Sequence, residues 1–257
     1  GQGTDDDNSH FADGAFGVSQ YKTKQKQLSW QNDIALSLGS LNLAYDRLEQ
    51  KLISNSNPVF NQTKRNSDGF LIAYLATIND HSVQANLRND HSNQFGSHTT
   101  GSLGYGYKLT SNWRITGSYG TAFKAPTFND LYYPSYFDSS YGSYVGCNCL
   151  VAQSDPNLKS EKSKNFEASL RYQGSNSELS ATLYNNKIDN FIALDQNYFP
   201  VNVNAEITGL TLAASQHWDD WQLKTSLDIQ SPENDDTGKL LPLRARRHGV
   251  INLGKSW

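Results

Sequence analysis

Hydrophobic residues in this chain return at every second position, in one segment after another. Leu103, Tyr105, Tyr107 and Leu109 alternate with Ser102, Gly104, Gly106 and Lys108. Phe166, Ala168, Leu170 and Tyr172 alternate with Glu167, Ser169 and Arg171. A period of two places successive side chains on opposite faces of a β-strand, so each segment has one apolar and one polar face. No stretch carries a convincing helical period, which restricts the chain to an all-β fold.

The segments follow one another as a meander of about eleven strands. The first runs from Leu28 through Trp30, Ile34, Leu36 and Leu38, and the last from Gly249 to Gly254. Residues 1–22 are polar and rich in Gly and Asp, and they read as a loop. Short turns are expected near 39, 79, 110, 175 and 219, and long polar loops near 60, 94, 140, 197 and 237. Long and short connections therefore alternate, which sorts all the long ones to one end. A soluble meander has no reason to do this, whereas an outer-membrane barrel is built that way.

The polar faces carry Asp33, Arg88, Arg114, Glu167, Arg171 and Lys224. A dry sandwich core would not accept such groups unpaired, but a wet lumen would. Hydrophobic residues are only 37% of the chain and mean hydropathy is −0.64, yet 12% are aromatic, with fourteen Tyr. That balance suits strands with one lipid-facing side. Tyr107, Trp113, Tyr172, Trp218 and Trp221 all flank short turns, where they would form an interfacial girdle. No run reaches the roughly 18 apolar residues of a membrane helix. There is no signal peptide and no Met, so the chain reads as a processed or truncated piece. A net charge of −3 gives no electrostatic footprint for nucleic acid. His10, His81, His91, His98, His217 and His248 are scattered over loops and turns, with no spacing that builds a catalytic or zinc site, so no enzyme is expected. Cys147 and Cys149 form a C-x-C, open to a disulfide, two free thiols or metal ligation.

The meander is interrupted once, between Ser118 and Glu167, by an Ala125-Pro126 break and a long polar and aromatic excursion. The segments SYGTAFKAPTFNDLY at 118–132 and DPNLKSEKSKNFEASLRY at 155–172 resemble the signature region of TonB-dependent outer-membrane transporters. Together with 26–52, 88–109 and 201–215 they are most similar to the cobalamin transporters of that family. The resemblance covers about residues 20–250.

It implies an antiparallel up-and-down transmembrane β-barrel of 22 strands with a plugged lumen. Residues 1–257 would then be part of that single barrel domain, without its plug domain and C-terminal strands. It implies active transport of cobalamin or a related corrinoid across the bacterial outer membrane, with energy supplied by the TonB complex. The rivals are a siderophore or haem transporter and, outside the class, a passive porin or structural β-protein. Substrate contacts are expected from Tyr132, Tyr133, Tyr136 and Phe137 after the Ala-Pro break, and from an arginine near the start of the last strand. Arg244 is favoured there over Arg246 and Arg247. Cobalamin transporters gather carboxylates in the loop matching Asp5, Asp6, Asp7 and Asp13. These are candidate calcium ligands, with a solvated acidic loop as the alternative.

Overall fold

The structure is a computed structural model. It describes residues 2–13, 17–55, 60, 62–133, 136–138, 149–151, 154–195, 198–242 and 244–256. For residues 2–13, 17–21, 136–138 and 149–151 it describes the course of the backbone alone.

Twelve long strands make one antiparallel sheet. Its first seven are β1 (Gln2–Asp13), β2 (Gly17–Ala35), β3 (Ser40–Ser54), β4 (Lys64–Ile78), β5 (His81–Ser92), β6 (Gly96–Lys108) and β7 (Trp113–Lys124). An excursion follows that holds helix α1 (Phe128–Tyr132) and a small hairpin of β8 (Tyr136–Asp138) with β9 (Cys149–Val151). The wall resumes with β10 (Glu161–Gln173), β11 (Ser177–Leu194), β12 (Pro200–Trp218) and β13 (Trp221–Asn234). It ends with the two-residue β14 (Lys239–Leu240) and with β15 (Arg247–Lys255). Every long strand pairs with its neighbours in sequence, and β10 pairs with β7 across the excursion.

Hydrogen-bonded register assigns the two faces. Leu103 lies opposite Tyr119, Phe166 opposite both Tyr119 and Asn185, Leu183 opposite Leu210, and Leu212 opposite Leu227. These side chains and their neighbours make a band of exposed large hydrophobic groups, with Phe70 61%, Leu183 60% and Leu103 58% exposed. Exposure on that scale marks a contact surface, and in a band that runs along one face of the strands it fits lipid. From Leu210 to Trp218 is about 27 Å along the strand, or about 20 Å of height at a barrel's tilt, close to the apolar band of an outer-membrane wall.

The expected girdle is present at the lower edge of the band. Trp113 and Tyr172 pair with ring centres 5.0 Å apart, Tyr107 lies tilted against His81 at 4.8 Å, and Trp218 lies opposite Trp221. A second aromatic level tops the band. Trp30, Tyr45 and Phe70 follow one another across β2, β3 and β4, with Tyr45 and Phe70 at 4.9 Å, and Tyr119 meets Phe166 on β7 and β10.

The opposite face is polar and its charges are paired. Arg88 donates to both Asp90 carboxylate oxygens from Nε and Nη2, at 2.9 and 2.8 Å, and from Nη1 to Asp46 at 2.9 Å. On β11 to β13, Tyr184 donates to Asp228 at 3.1 Å, and Thr211 donates to the same oxygen at 2.7 Å. Gly209 lies opposite Tyr184, and a Cβ there would clash with the phenol.

Four expectations need correction. Residues 1–22 are not a loop: β1 and the start of β2 form a hairpin, which adds a twelfth long strand to the eleven expected. The connections near 94 and 197 are tight, because β5 and β6 reach Ser92 and Gly96, and β11 and β12 reach Leu194 and Pro200. At 1–22 and near 94 the ladder continues above the lipid in polar sequence, where period two leaves no trace, and near 197 a register shift between Ile188 and Phe191 breaks the period. The excursion also holds the short helix α1, signalled by Thr127 and Asp130 at capping-box spacing. The five short turns lie where expected, and the Leu36–Gly39 turn places Gly39 at φ +87°.

Candidate extracellular vestibule

At the loop end of the wall the lumen face becomes apolar, and two connections fold inward onto it. Leu52 on β3 and Arg65 on β4 share the lumen face with Asp46 and Gly69, an even number of residues away. The excursion leaves β7 at Lys124, turns at the fully buried Pro126, and starts α1 with Thr127 as its N-cap. Thr127 Oγ1 accepts from Asp130 N at 3.1 Å, and Asp130 Oδ2 accepts from Thr127 N at 2.8 Å. A five-residue helix has too few internal bonds to stand alone, so tertiary contacts must hold it. Phe128 packs with Leu52 and Phe60, and Leu131 is only 2% exposed.

Arg65 ties the helix to the wall. It donates to Gln50 Oε1 at 2.6 Å and to the Pro126 carbonyl at 2.8 Å, and its guanidinium lies 4.7 Å from the centre of the Phe128 ring. Burial pulls the Arg65 pKa below its ordinary value, and the nearby Asp130 carboxylate opposes the shift. The contacts of α1 are on β3, β4 and the turn after β5, although it follows β7. The excursion therefore crosses the inner rim of β6 and β5.

The return leg is fixed as firmly. Asp155 N donates to Asp130 O at 2.8 Å, and Ser154 Oγ donates to Tyr133 O at 2.8 Å. Leu158 is buried, and Lys159 N donates to Asn202 Oδ1 at 2.8 Å. Glu161 Oε1 accepts from Lys124 Nζ at 3.0 Å and from Ile192 N at 3.1 Å, joining the two ends of the excursion. The Asp155–Ser163 segment is thus a structural clasp.

The second inward fold is the connection between β13 and β15. Leu241 packs into Ile188 and Ala205, with Phe191, Val203 and Ile207 around them, on the lumen face of β11 and β12. Asp236 accepts from Asn204 N and Nδ2, both at 2.9 Å, and these bonds hold its pKa below the usual carboxylate value.

The residues singled out from sequence fall into distinct settings. Tyr132 accepts from Gln94 Nε2 at 2.6 Å and donates to Gln62 at 3.1 Å, so its hydroxyl braces α1. Tyr133 is partly buried against the same cluster, edge-on to Phe60 at 5.9 Å. Tyr136 and Phe137 begin the β8–β9 hairpin, opposite Val151 and Leu150, and their side chains lie outside the described residues. Arg244 is exposed, with its guanidinium 5.2 Å from the centre of the Phe191 ring. Tyr132 and Tyr133 therefore stand on one inward fold and Arg244 on the other. Sequence reasoning missed Arg65, Phe128, Phe191 and Gln94, which fix these elements. The only local signal was the Thr127 capping box.

Asp5, Asp6, Asp7 and Asp13 all lie in β1, where Asp5 is opposite Lys24 and Asp7 opposite Lys22 in backbone register. Their side chains lie outside the described residues, as does Cys147, so the calcium and disulfide expectations rest on sequence alone. Among the described residues no group of three His, Cys, Asp or Glu could hold a metal. A concavity of about 720 Å³, edged by Trp113, Leu170, Leu179, Leu212, Leu227 and Ile251, lies on the lipid side and has no part in the vestibule.

Lipid-facing bands between two aromatic levels, a paired polar lumen and inward-folded loops define the wall of an outer-membrane β-barrel. The model of the family "TonB dependent receptor-like, beta-barrel" matches residues 1–257, and the chain belongs to this bacterial outer-membrane family. It is 33% identical over 220 residues to the vitamin B12 transporter BtuB of Photobacterium profundum, an alignment covering 81% of this chain and 33% of that protein. The BtuB of Vibrio vulnificus is 26% identical over 236 residues, covering 88% and 36%. Among solved structures, a mutant of the ferric enterobactin receptor PfeA of Pseudomonas aeruginosa matches with TM-score 0.72 at 19% identity. That match covers 98% of this chain and 43% of the other. The copper transporter OprC matches with TM-score 0.70 at 16% identity, covering 92% and 41%. These structural matches bear on fold. The chain spans about a third of the length of the curated relatives it matches.

Proposed function

We propose that this chain forms part of the wall and extracellular vestibule of a TonB-energised importer of cobalamin or a related corrinoid. The observation that carries the reading is the 33% identity to a vitamin B12 transporter across 81% of the chain. The geometry is consistent with it: two loops fold inward and bring aromatic rings and an exposed arginine to the lumen side of the rim. In this reading Tyr133, Tyr136, Phe137 and Arg244 contact the ligand. Rings with few torsions suit a large, partly apolar molecule. Tyr132 contributes chiefly by bracing α1. The process is binding and passage without bond chemistry, and TonB would engage through parts of the protein outside this chain.

A siderophore receptor is the second reading, since the rim aromatics would also suit a large siderophore; the likeness to a ferric enterobactin receptor, at 19% identity, speaks to fold alone. The test is equilibrium binding of cyanocobalamin and of ferric enterobactin to the full-length protein. Saturable cyanocobalamin binding, weakened about tenfold or more by Arg244→Ala, is expected. Binding of the siderophore alone would replace the corrinoid reading with the second one.

A further inference from the structure

Two arginines of the vestibule lie over phenylalanine rings, and they use their donors differently. Arg65, over Phe128, donates to Gln50 and to the Pro126 carbonyl, so it ties the protein to itself. Arg244, over Phe191, makes no side-chain hydrogen bond and no ion pair among the described residues. The backbone on either side of it is fixed, because Leu241 N donates to the Pro232 carbonyl at 2.9 Å and the Ala245 carbonyl accepts from Gln230 Nε2 at 2.7 Å. What holds the side chain is therefore the ring, 5.2 Å from the guanidinium. A guanidinium carries five N–H donors in a planar fork, and here the fork is left to solvent or to a ligand.

Phe191 reaches that place through an irregularity in β11. Ile188 is opposite Ala205 and Phe191 is opposite Val203, so Asp189 and Asn190 together face the single residue Asn204. This is a β-bulge, and without its extra residue Phe191 would differ in parity from Ile188 and point away from the lumen. Asn190 takes φ +57°, in the left-handed region that asparagine tolerates better than most side chains. Its carbonyl accepts from Asn202 Nδ2 at 2.7 Å. Asn202 also accepts from Lys159 N at 2.8 Å and donates to the Lys159 carbonyl at 3.1 Å, while Ile192 N donates to Glu161 at 3.1 Å. The clasp that closes the excursion thus holds the bulge as well. Bulges re-aim side chains, and a left-handed residue braced in this way is kept for what it aims. Here that is an aromatic ring under an arginine.

We propose that Phe191 is a positioning residue of the vestibule, whose ring presets the Arg244 guanidinium toward acceptor oxygens of the ligand. The inference rests on the reading that Arg244 contacts the ligand, and it adds a residue on another strand that acts through it. Leucine at 191 keeps an apolar contact for Leu241 and Ile188 but offers no ring face, which leaves the guanidinium free to turn away. A cation–π contact at an exposed site corresponds to about threefold to fivefold in affinity.

The test is equilibrium binding of cyanocobalamin to the full-length protein in wild type, Phe191→Leu, Arg244→Ala and the double variant. Phe191→Leu should raise Kd about threefold to fivefold, whereas the same change made on Arg244→Ala should leave Kd within about twofold. Phe191→Tyr, which keeps the ring, should bind as wild type does. Hydrogen exchange at the Leu241 amide should be unchanged in Phe191→Leu, showing that the connection has stayed in place. A full penalty that persists on Arg244→Ala, no rescue by tyrosine, or a faster Leu241 amide would give Phe191 a packing role alone and overturn the proposal, as would wild-type affinity in Phe191→Leu. Wild-type affinity in Arg244→Ala removes the contact and the proposal with it, while saturable cyanocobalamin binding still upholds the transport reading. If ferric enterobactin alone binds, the corrinoid reading fails, and the same four proteins compared with that ligand decide the role of Phe191 separately.

Discussion

Replacing Arg65 by Met asks whether a single half-buried cation holds the excursion against the lumen wall. The methionine keeps an unbranched stem over Phe128 but removes the donors to Gln50 and to the Pro126 carbonyl. Hydrogen bonds from a charged group are worth about 1.5–3 kcal/mol each, so two give about 3–6 kcal/mol gross. Part of that is offset already, because burial opposes the charge and the variant is relieved of this cost. A net loss of about 2 kcal/mol is left, which is about a 30-fold shift in the local opening equilibrium. Hydrogen exchange reads this directly. The Leu131, Tyr133 and Asp155 amides, bonded to Thr127, Asn129 and Asp130 carbonyls, should exchange about 30-fold faster. Amides within the ladders of β4 and β5 should not change. Arg65→Lys should fall between the two, since it keeps the charge and loses the planar fork. Unchanged exchange at these amides in Arg65→Met, together with fast exchange in Phe128→Ala, would show that apolar packing alone holds α1.

Two further substitutions test the face assignment and the lumen packing. Leu170→Arg points a guanidinium into lipid between Phe166 and Tyr172 and should cost about 2–4 kcal/mol of folding stability in vesicles, whereas Ser169→Arg, one residue away on the lumen face, should cost less than half as much. Gly209→Ala forces its new Cβ against the Tyr184 phenol, which Asp228 holds in place, and should destabilise by about 1–3 kcal/mol; denaturant midpoints should show that adding Tyr184→Ala recovers most of the loss, and no recovery would refute the clash.

Legibility in the sequence followed the lipid. Between the two aromatic levels one face of each strand must be apolar and the other need not be. Runs such as Leu103–Leu109 therefore declare both strand and face. Above that level β5 and β6 carry polar residues on both faces, and there, as along β1, the same hydrogen-bonded ladder carries residues that read as loop. The helix α1 was hidden for another reason. Five residues carry no period, and its stability comes from Leu52, Phe60, Arg65 and Gln94, more than thirty residues distant in sequence. Tyr132 was legible as an aromatic in the right loop, but its brace to Gln62 and Gln94 depends on where β4 and β5 end.

The same geometry assigns a job to each residue by two coordinates, parity and height. At mid-height, parity decides between lipid, as at Leu170, and the hydrogen-bonded lumen, as at Asp228. Above the upper aromatic level the lumen parity turns apolar at Leu52, Ile188 and Ala205, while the lipid parity turns charged at Arg47, Lys164 and Lys187. That reversal needs a cause on each side, because neither bare apolar surface facing a wet lumen nor unpaired charge facing a leaflet is stable by itself. On the inside the causes are the folded-in loops, through Phe128 and Leu241. Where Arg47 meets Glu49 and Asp68, and where Lys187 meets Glu206, the outside is answered by the protein itself. The rim is thus where this wall changes partners. Substitutions there should alter what the protein holds, and substitutions between the aromatic levels should alter whether it folds.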